Sequence, residues 1–148
     1  MGRVSAELGR RIYLDTNIVI YAVEGFAQYA AQIQALLDAM DADEVSVVTS
    51  ELTLAEVLVG PLKAQNAPIQ QTYRSFLTST ATFVVPPVSR DILEESAQLR
   101  AITKLKLPDA IHLATALRHQ CDSFLTNDDV FKSLNLAQVK MLSDIDLT

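Results

Sequence analysis

The sequence predicts an α/β fold, with a central parallel sheet flanked by helices on both faces. Three observations carry that prediction. Short apolar or β-branched runs alternate with helix-spaced segments along the whole chain. The composition is that of a globular domain, with 49% hydrophobic and 20% charged residues. No repeat, low-complexity tract or linker interrupts the alternation, so 148 residues read as one domain, 1–148, with a sizeable core.

The elements follow in order. Residues 11–14 read as a short buried strand. Asp15-Thr16-Asn17 then supplies helix-start chemistry, and Ile18 to Val23 forms a short helix ended near Gly25. Helical spacing recurs over 27–40 through Ile33, Leu36, Leu37 and Met40. The β-branched run Val45 to Thr49 is a second strand. Ser50 caps a helix over 51–59, which Gly60-Pro61 is expected to stop. Pro68 to Ser79 gives another helix, and Thr82 to Val85 a third strand closed by Pro86-Pro87. Ser89 caps a long helix to about Lys104, and Pro108 suits the first turn of one that runs to about His119. Ser123 to Thr126 is a fourth strand, a helical turn covers Val130–Leu134, and a last strand lies at about 138–142. The first nine residues are expected to be loose.

Composition excludes several classes. A net charge of -6 and a pI near 4.8 argue against a protein that coats nucleic acid through general basicity. They leave room for a nuclease that works through bound cations, and they suit a basic partner. Cys121 is the single cysteine, so no intrachain disulfide forms, which fits a reducing, cytoplasmic setting. No stretch has the uninterrupted apolar length of a membrane helix. Arg10-Arg11 lacks the apolar core of an export signal because Asp15 and Asn17 interrupt it, and Ala6 breaks a myristoylation motif.

Four acids stand out against this background. Asp15 ends the run Ile12-Tyr13-Leu14, and Glu56 interrupts the apolar helix of residues 52–59. Asp109 opens a helix, and Asp128 follows the strand Phe124-Leu125-Thr126. Each has an ordinary explanation by itself. Asp15 can cap a helix, Glu56 can face solvent, Asp109 can serve the helix dipole, and Asp128 sits in a turn-like Asn127-Asp128-Asp129. Together they can converge outside the carboxyl ends of the strands, where open parallel sheets bind ligands. Two like charges about 4 Å apart repel by about 4 kcal/mol at an effective dielectric of 20. Protonation or a divalent cation relieves such a cluster. Oxygen donors without clustered Cys or His favour Mg2+ or Mn2+ over Zn2+, and the chemistry that follows is metal-dependent phosphodiester hydrolysis.

Other residues carry less. His112 lies one helical turn after Asp109 and reads mainly as a packing or hydrogen-bonding residue that could tune the site. His119 lies near a helix end, and Cys121 lacks the basic setting of a nucleophile. Arg90, Arg100, Lys104 and Lys106 read as a solvated helix face that could offer phosphate contacts.

In order, Tyr13-Leu14-Asp15-Thr16-Asn17, Ser50-Glu51-Leu52-Thr53-Leu54-Ala55-Glu56-Val57-Leu58, Leu107-Pro108-Asp109-Ala110-Ile111-His112-Leu113-Ala114-Thr115-Ala116 and Phe124-Leu125-Thr126-Asn127-Asp128 resemble the motifs of PIN domains, and most closely those of VapC toxins. The resemblance spans about residues 11–142. It implies a PIN-like sheet and a Mg2+- or Mn2+-dependent endoribonuclease leaving 5′-phosphate and 3′-hydroxyl ends. It also implies a homodimer and a cognate antitoxin that blocks the acidic cleft. By motif match Asp15, Glu56, Asp109 and Asp128 form the catalytic and metal-binding set, with one or two ions. Asp15 and Asp109 are the expected direct ligands, and Asn17 and Thr126 orient the carboxylates. Asp129 competes with Asp128 for the fourth place, and Arg100 is the best candidate for substrate contact. Surface segments such as residues 60–75 are expected to select the RNA.

Two alternatives remain at this level. A non-catalytic module could keep the acidic site for metal or RNA binding. A haloacid-type phosphatase also begins with an Asp after its first strand, but wants a second Asp where this chain has Asn17.

Overall fold

The computed structural model describes residues 2–148. Five parallel strands form one sheet in the order β3-β2-β1-β4-β5. They are β1 (Arg11–Leu14), β2 (Ser46–Val48), β3 (Phe83–Val84), β4 (Ser123–Thr126) and β5 (Val139–Met141). The helices are α1 (Arg3–Leu8), α2 (Thr16–Glu24), α3 (Ala30–Asp41), α4 (Glu51–Lys63), α5 (Ala67–Phe76), α6 (Arg90–Ile102) and α7 (Leu107–Arg118). Short 3-10 helices occur at Ala27–Tyr29, Asp129–Leu134 and Leu142–Asp144.

The two-residue period of the strands divides the core. Ile12, Leu14, Val47 and Leu125 pack with Val4 and Leu8 of α1, Ile18 of α2, Leu36 of α3 and Tyr73 of α5. Tyr13, Val48 and Phe124 pack instead with Ala110, Leu113 and Ala116 of α7 and with Phe131. On this second side Tyr13 stacks on Phe124 at 5.2 Å, and Phe124 meets Phe131 at 4.6 Å. α6 lies outside α7 and meets it through Ile92, Ile111 and Ala114. The sheet therefore has helices on both faces, as expected. Chain order reverses between β1 and β4, and this topological switch point is where such sheets open a crevice.

Two expectations fail. The segment expected to be loose, residues 1–9, contains α1, with Val4, Ser5 and Leu8 buried; Met1 lies outside the described residues. Its anchors are long-range: the Ser5 amide donates to Glu44 Oε2, and the Ser123 hydroxyl donates to the Leu8 carbonyl. Gly9 closes the helix at φ +81, and a Cβ there would lie 2.5 Å from that of Asp122. The Asp122 carboxylate in turn accepts both the Arg10 and Arg11 amides. The second failure is the stop at Gly60-Pro61, since α4 continues to Lys63. Pro61 removes one amide donor from the ladder, but its ring is buried and its carbonyl takes up the Asn66 amide.

If α1 is an integral layer, Leu8→Ala should cost about 2–5 kcal/mol in urea unfolding. A change below about 0.5 kcal/mol, the level of a surface substitution, would show the helix to be peripheral.

Candidate active site

Asp15 leaves β1 in extended conformation and caps α2. Its side chain is only 4% exposed, yet every hydrogen bond it needs is present. Oδ1 accepts the Thr16 amide at 2.9 Å. Oδ2 accepts the Thr126 hydroxyl at 2.7 Å and the Asn17 amide group at 3.2 Å. Thr126 Oγ1 also accepts the Asp128 amide at 2.9 Å, and Asn17 Oδ1 accepts the Asn127 amide at 3.0 Å. Asn17 and Thr126 thus join the end of β1 to the end of β4 across the switch point. Burial pushes the Asp15 carboxyl up, and the His112 ring and the Thr126 hydroxyl pull it back only in part.

Glu56 comes from the second turn of α4. Its Oε1 accepts the Thr16 hydroxyl at 2.7 Å and lies 2.6 Å from Nε2 of His112. Partial burial pushes its carboxyl up, but the hydrogen bond and electrostatic influence of the His112 ring, with the Thr16 hydroxyl, outweigh this and leave it below the usual glutamate range. His112 is 1% exposed, and its Nδ1 lies 2.6 Å from the Tyr13 hydroxyl.

Asp109 sits in the first turn of α7. Burial, then the charges of Asp15 and Asp128, push its carboxyl up to about 6, with Glu56 adding and His112 opposing. Asp128 caps the 3-10 turn after β4 by accepting the Val130 amide at 3.1 Å. Asp129 instead pairs with Lys132 at 3.4 Å and is 83% exposed. Asp128 is the member of the pair whose charge bears on Asp109.

The four carboxylates therefore share an electrostatic field. Among the described residues, no three His, Cys, Asp or Glu side chains are close enough as placed to enclose one ion. The donor set still fits a hard cation: all donors are carboxylate oxygens, and Asp109 carries repulsion that an ion would relieve. Arg100 does not face this cluster through any hydrogen bond; its guanidinium donates to the Leu105 carbonyl at 2.9 Å and braces the turn between α6 and α7. Cys121 has its thiol pushed up to about 12 by burial, which suits packing rather than nucleophilic chemistry.

Sequence reasoning gave Thr16 and Tyr13 no role in the site. Thr16 was signalled as the polar residue between Asp15 and Asn17. Tyr13 was hidden, because a tyrosine in a buried strand reads as core until its hydroxyl partner is known.

A five-stranded parallel sheet with Asp15 and Asp128 at the ends of the two strands flanking its switch point defines an α/β protein with an acidic crevice. The PIN domain family profile matches residues 12–136, and the chain belongs to that family. A chain in a toxin–antitoxin complex from Klebsiella pneumoniae is 34% identical, with a TM-score of 0.66 over 88% of this chain and 97% of that one. Two more distant structures share the fold. One is a VapBC complex of Rickettsia felis bound to a DNA fragment from its promoter, with 20% identity, TM-score 0.68, and 88% and 98% coverage. The other is a sarcin–ricin-loop-cleaving VapC toxin of Mycobacterium tuberculosis, with 16% identity, TM-score 0.67, and 87% and 98% coverage. No curated protein sequence matches the chain significantly. The resemblance to VapC-like PIN domains holds, and the haloacid-type alternative gives way to it.

The raised Asp109 carboxyl predicts a pH dependence. Between about 3.8 and about 6 the unfolded group has lost its proton while the folded one keeps it. The folded state then binds more protons, so stability falls as pH rises through that window and levels off above it. Asp15 acts in the same sense. Asp109→Asn should flatten the fall in urea midpoint and match or exceed the parent above pH 7. An equally steep fall in the variant would remove Asp109 as its source.

Proposed function

We propose that this protein is a divalent-metal-dependent endoribonuclease and the toxin of a toxin–antitoxin pair. The observation that carries this reading is that the other three motif carboxylates, Asp15, Asp128 and Glu56, bear on Asp109, whose carboxyl they and burial push up to about 6. Membership in the PIN family and the 34% identity to a chain of a toxin–antitoxin complex support it.

Asp15 and Asp109 would hold Mg2+ or Mn2+, with Glu56 and Asp128 completing the site directly or through water. The ion supplies a more acidic water and stabilises charge on the phosphoryl group. The chain's own residues do the rest. Thr126, Asn17 and the Thr16 amide fix the orientation of Asp15 before substrate arrives. Glu56 stays ionised at neutral pH because His112 and Thr16 hold it. A carboxylate of the set would accept a proton from water as the water oxygen bonds to phosphorus in line and the P–O3′ bond breaks, the departing 3′ oxygen taking up a proton from solvent.

RNA is the substrate under this reading, and a cognate antitoxin is the partner. A cleft of about 260 Å³ beside Glu56, with Ile20, Val57, Pro61 and Ile69 as apolar wall and Glu24 as a second carboxylate, suits a basic antitoxin segment. The chain's charge of -6 favours such a partner as well. Family resemblance adds a homodimer and a cytoplasmic setting; no described helix is long and apolar enough to cross a membrane. A second reading, a non-catalytic metal- or RNA-binding module, draws on one observation. Among the described residues, no three acids are gathered closely enough as placed to enclose an ion.

The test uses purified, antitoxin-free protein and a pool of structured RNAs, with Mg2+ or Mn2+ and with chelator. Cleavage should need the metal and drop to the chelator level in Asp15→Asn and in Asp109→Asn. Cleavage that survives chelation or both substitutions would overturn the mechanism. Metal binding without cleavage of any RNA would favour the module. Independently, Mn2+ at about 100 times its dissociation constant should stabilise the parent by about 2.7 kcal/mol in thermal or urea unfolding. The doubly substituted protein should lose that gain.

A further inference from the structure

A largely buried polar assembly lies behind the acidic site. Tyr13 from β1, His112 from α7, Glu56 from α4 and Thr16 from α2 are joined by side-chain hydrogen bonds. Tyr13 is fully buried and His112 nearly so, while Glu56 lies at the surface end of the series. No buried polar side-chain atom among the described residues lacks a partner, so the proton on each link can be placed by elimination.

Glu56 can only accept. Thr16 has one hydroxyl proton, and it goes to Glu56 Oε1 at 2.7 Å. The 2.6 Å contact between His112 Nε2 and the same oxygen therefore needs the proton on Nε2. The longer 3.2 Å approach of Thr16 Oγ1 to Nε2 is consistent with that, since Thr16 has no second proton to give. At the other end of the ring, the Tyr13 hydroxyl lies 2.6 Å from Nδ1. The nearby Thr49 hydroxyl gives its own proton to the Leu14 carbonyl, so on a singly protonated ring Nδ1 is the bare acceptor facing the Tyr13 proton.

We propose that Tyr13 and His112 are positioning residues that fix the Glu56 carboxylate at the acidic site through one-directional hydrogen bonding, from the Tyr13 hydroxyl through the His112 ring to Glu56 Oε1. The phenol selects the tautomer. The tautomer presents a donor to Glu56, and with Thr16 it holds Oε1 from two sides. Rotation of the carboxylate would break both bonds, so its second oxygen stays available to the site. A packing histidine would need neither the tyrosine hydroxyl nor a particular tautomer. The ring is also held by packing, with its edge against Tyr13 at 5.8 Å. In its kinetic consequences the proposal rests on the nuclease reading; in its structural consequences it does not.

The test has two arms. Protein labelled with 15N-histidine carries only His112 and His119, and His119→Asn assigns the spectrum. The His112 ring should show its proton on Nε2, and Tyr13→Phe should convert this into a mixture of tautomers. A proton on Nδ1 in the parent, or an unchanged ring in Tyr13→Phe, would overturn the proposal. In the second arm, loss of such a supporting partner typically costs about 10–100-fold. His112→Leu should lower kcat for RNA by that amount, and Tyr13→Phe by about tenfold, with KM changed less than about twofold. His112→Gln, which restores a donor to Glu56, should recover most of the loss. Parental kcat in both His112→Leu and Tyr13→Phe would reject the relay. So would a loss that His112→Gln does not recover and that follows only a lowered melting temperature. If the parent cleaves no RNA, the nuclease reading fails alone. Ring tautomer and Mn2+ affinity then decide the relay, with His112→Leu expected to weaken Mn2+ about tenfold.

Discussion

The structure depends on keeping the Asp15 carboxylate out of water at the end of the central strand. An unpaired carboxylate there would cost several kcal/mol or take up a proton. Three donors offset part of this cost: the Thr16 amide from the helix it caps, the Thr126 hydroxyl, and the Asn17 side chain. Two of those donors are local to α2, but Thr126 belongs to β4, which is remote in sequence. Satisfying Asp15 therefore requires β1 and β4 to be paired in register. The backbone bond from the Asp15 amide to the Leu125 carbonyl at 3.0 Å continues the same seam. A single buried charge thus ties the topological switch point to the site it serves.

The same cluster moves its carboxyls in opposite directions, and the cause is placement relative to His112. Glu56 touches the ring and Thr16, so hydrogen bonding overcomes its partial burial. Asp109 has the ring's influence only at a distance, and meets the charges of Asp15, Asp128 and Glu56. One end of the site is internally compensated, and the other is left with excess negative field. A cation is more useful at the second end than at the first. This asymmetry distinguishes Glu56, held by His112 and Thr16, from Asp109, which forms no salt bridge among the described residues.

Much of this was legible in the residues. Asp15 and Asp128 each follow a strand run, and Asp109 opens a helix just after Pro108, so alternation and capping rules placed all three on one sheet edge. The failures have physical reasons. The α1 helix is six residues long, too short for periodicity to register, and its stability comes from Glu44 and Ser123, far away in sequence. Pro61 reads as a stop because local rules count the lost amide and cannot count the burial of its ring. Arg100, the candidate for substrate contact, gives one guanidinium N–H to the Leu105 carbonyl, a local partner that hydrophobic spacing does not register. The Tyr13 hydroxyl is invisible to hydrophobic patterning, which sees only the ring.

Asp128 and Asp129 show what geometry adds where composition is silent. Both follow the strand, and either could read as the fourth acid. The Asp128 amide is bound by Thr126 Oγ1, the hydroxyl that also donates to Asp15. That shared oxygen holds the Asp128 backbone close to Asp15 before any side-chain rotamer is chosen. One residue later the chain has entered the 3-10 turn, and Asp129 is carried to solvent, where Lys132 meets it. An exposed pair of this kind contributes little and constrains nothing in the site. The choice between the two acids is therefore made by the Thr126 hydroxyl, which links the electrostatics of the site to the register of β4 against β1.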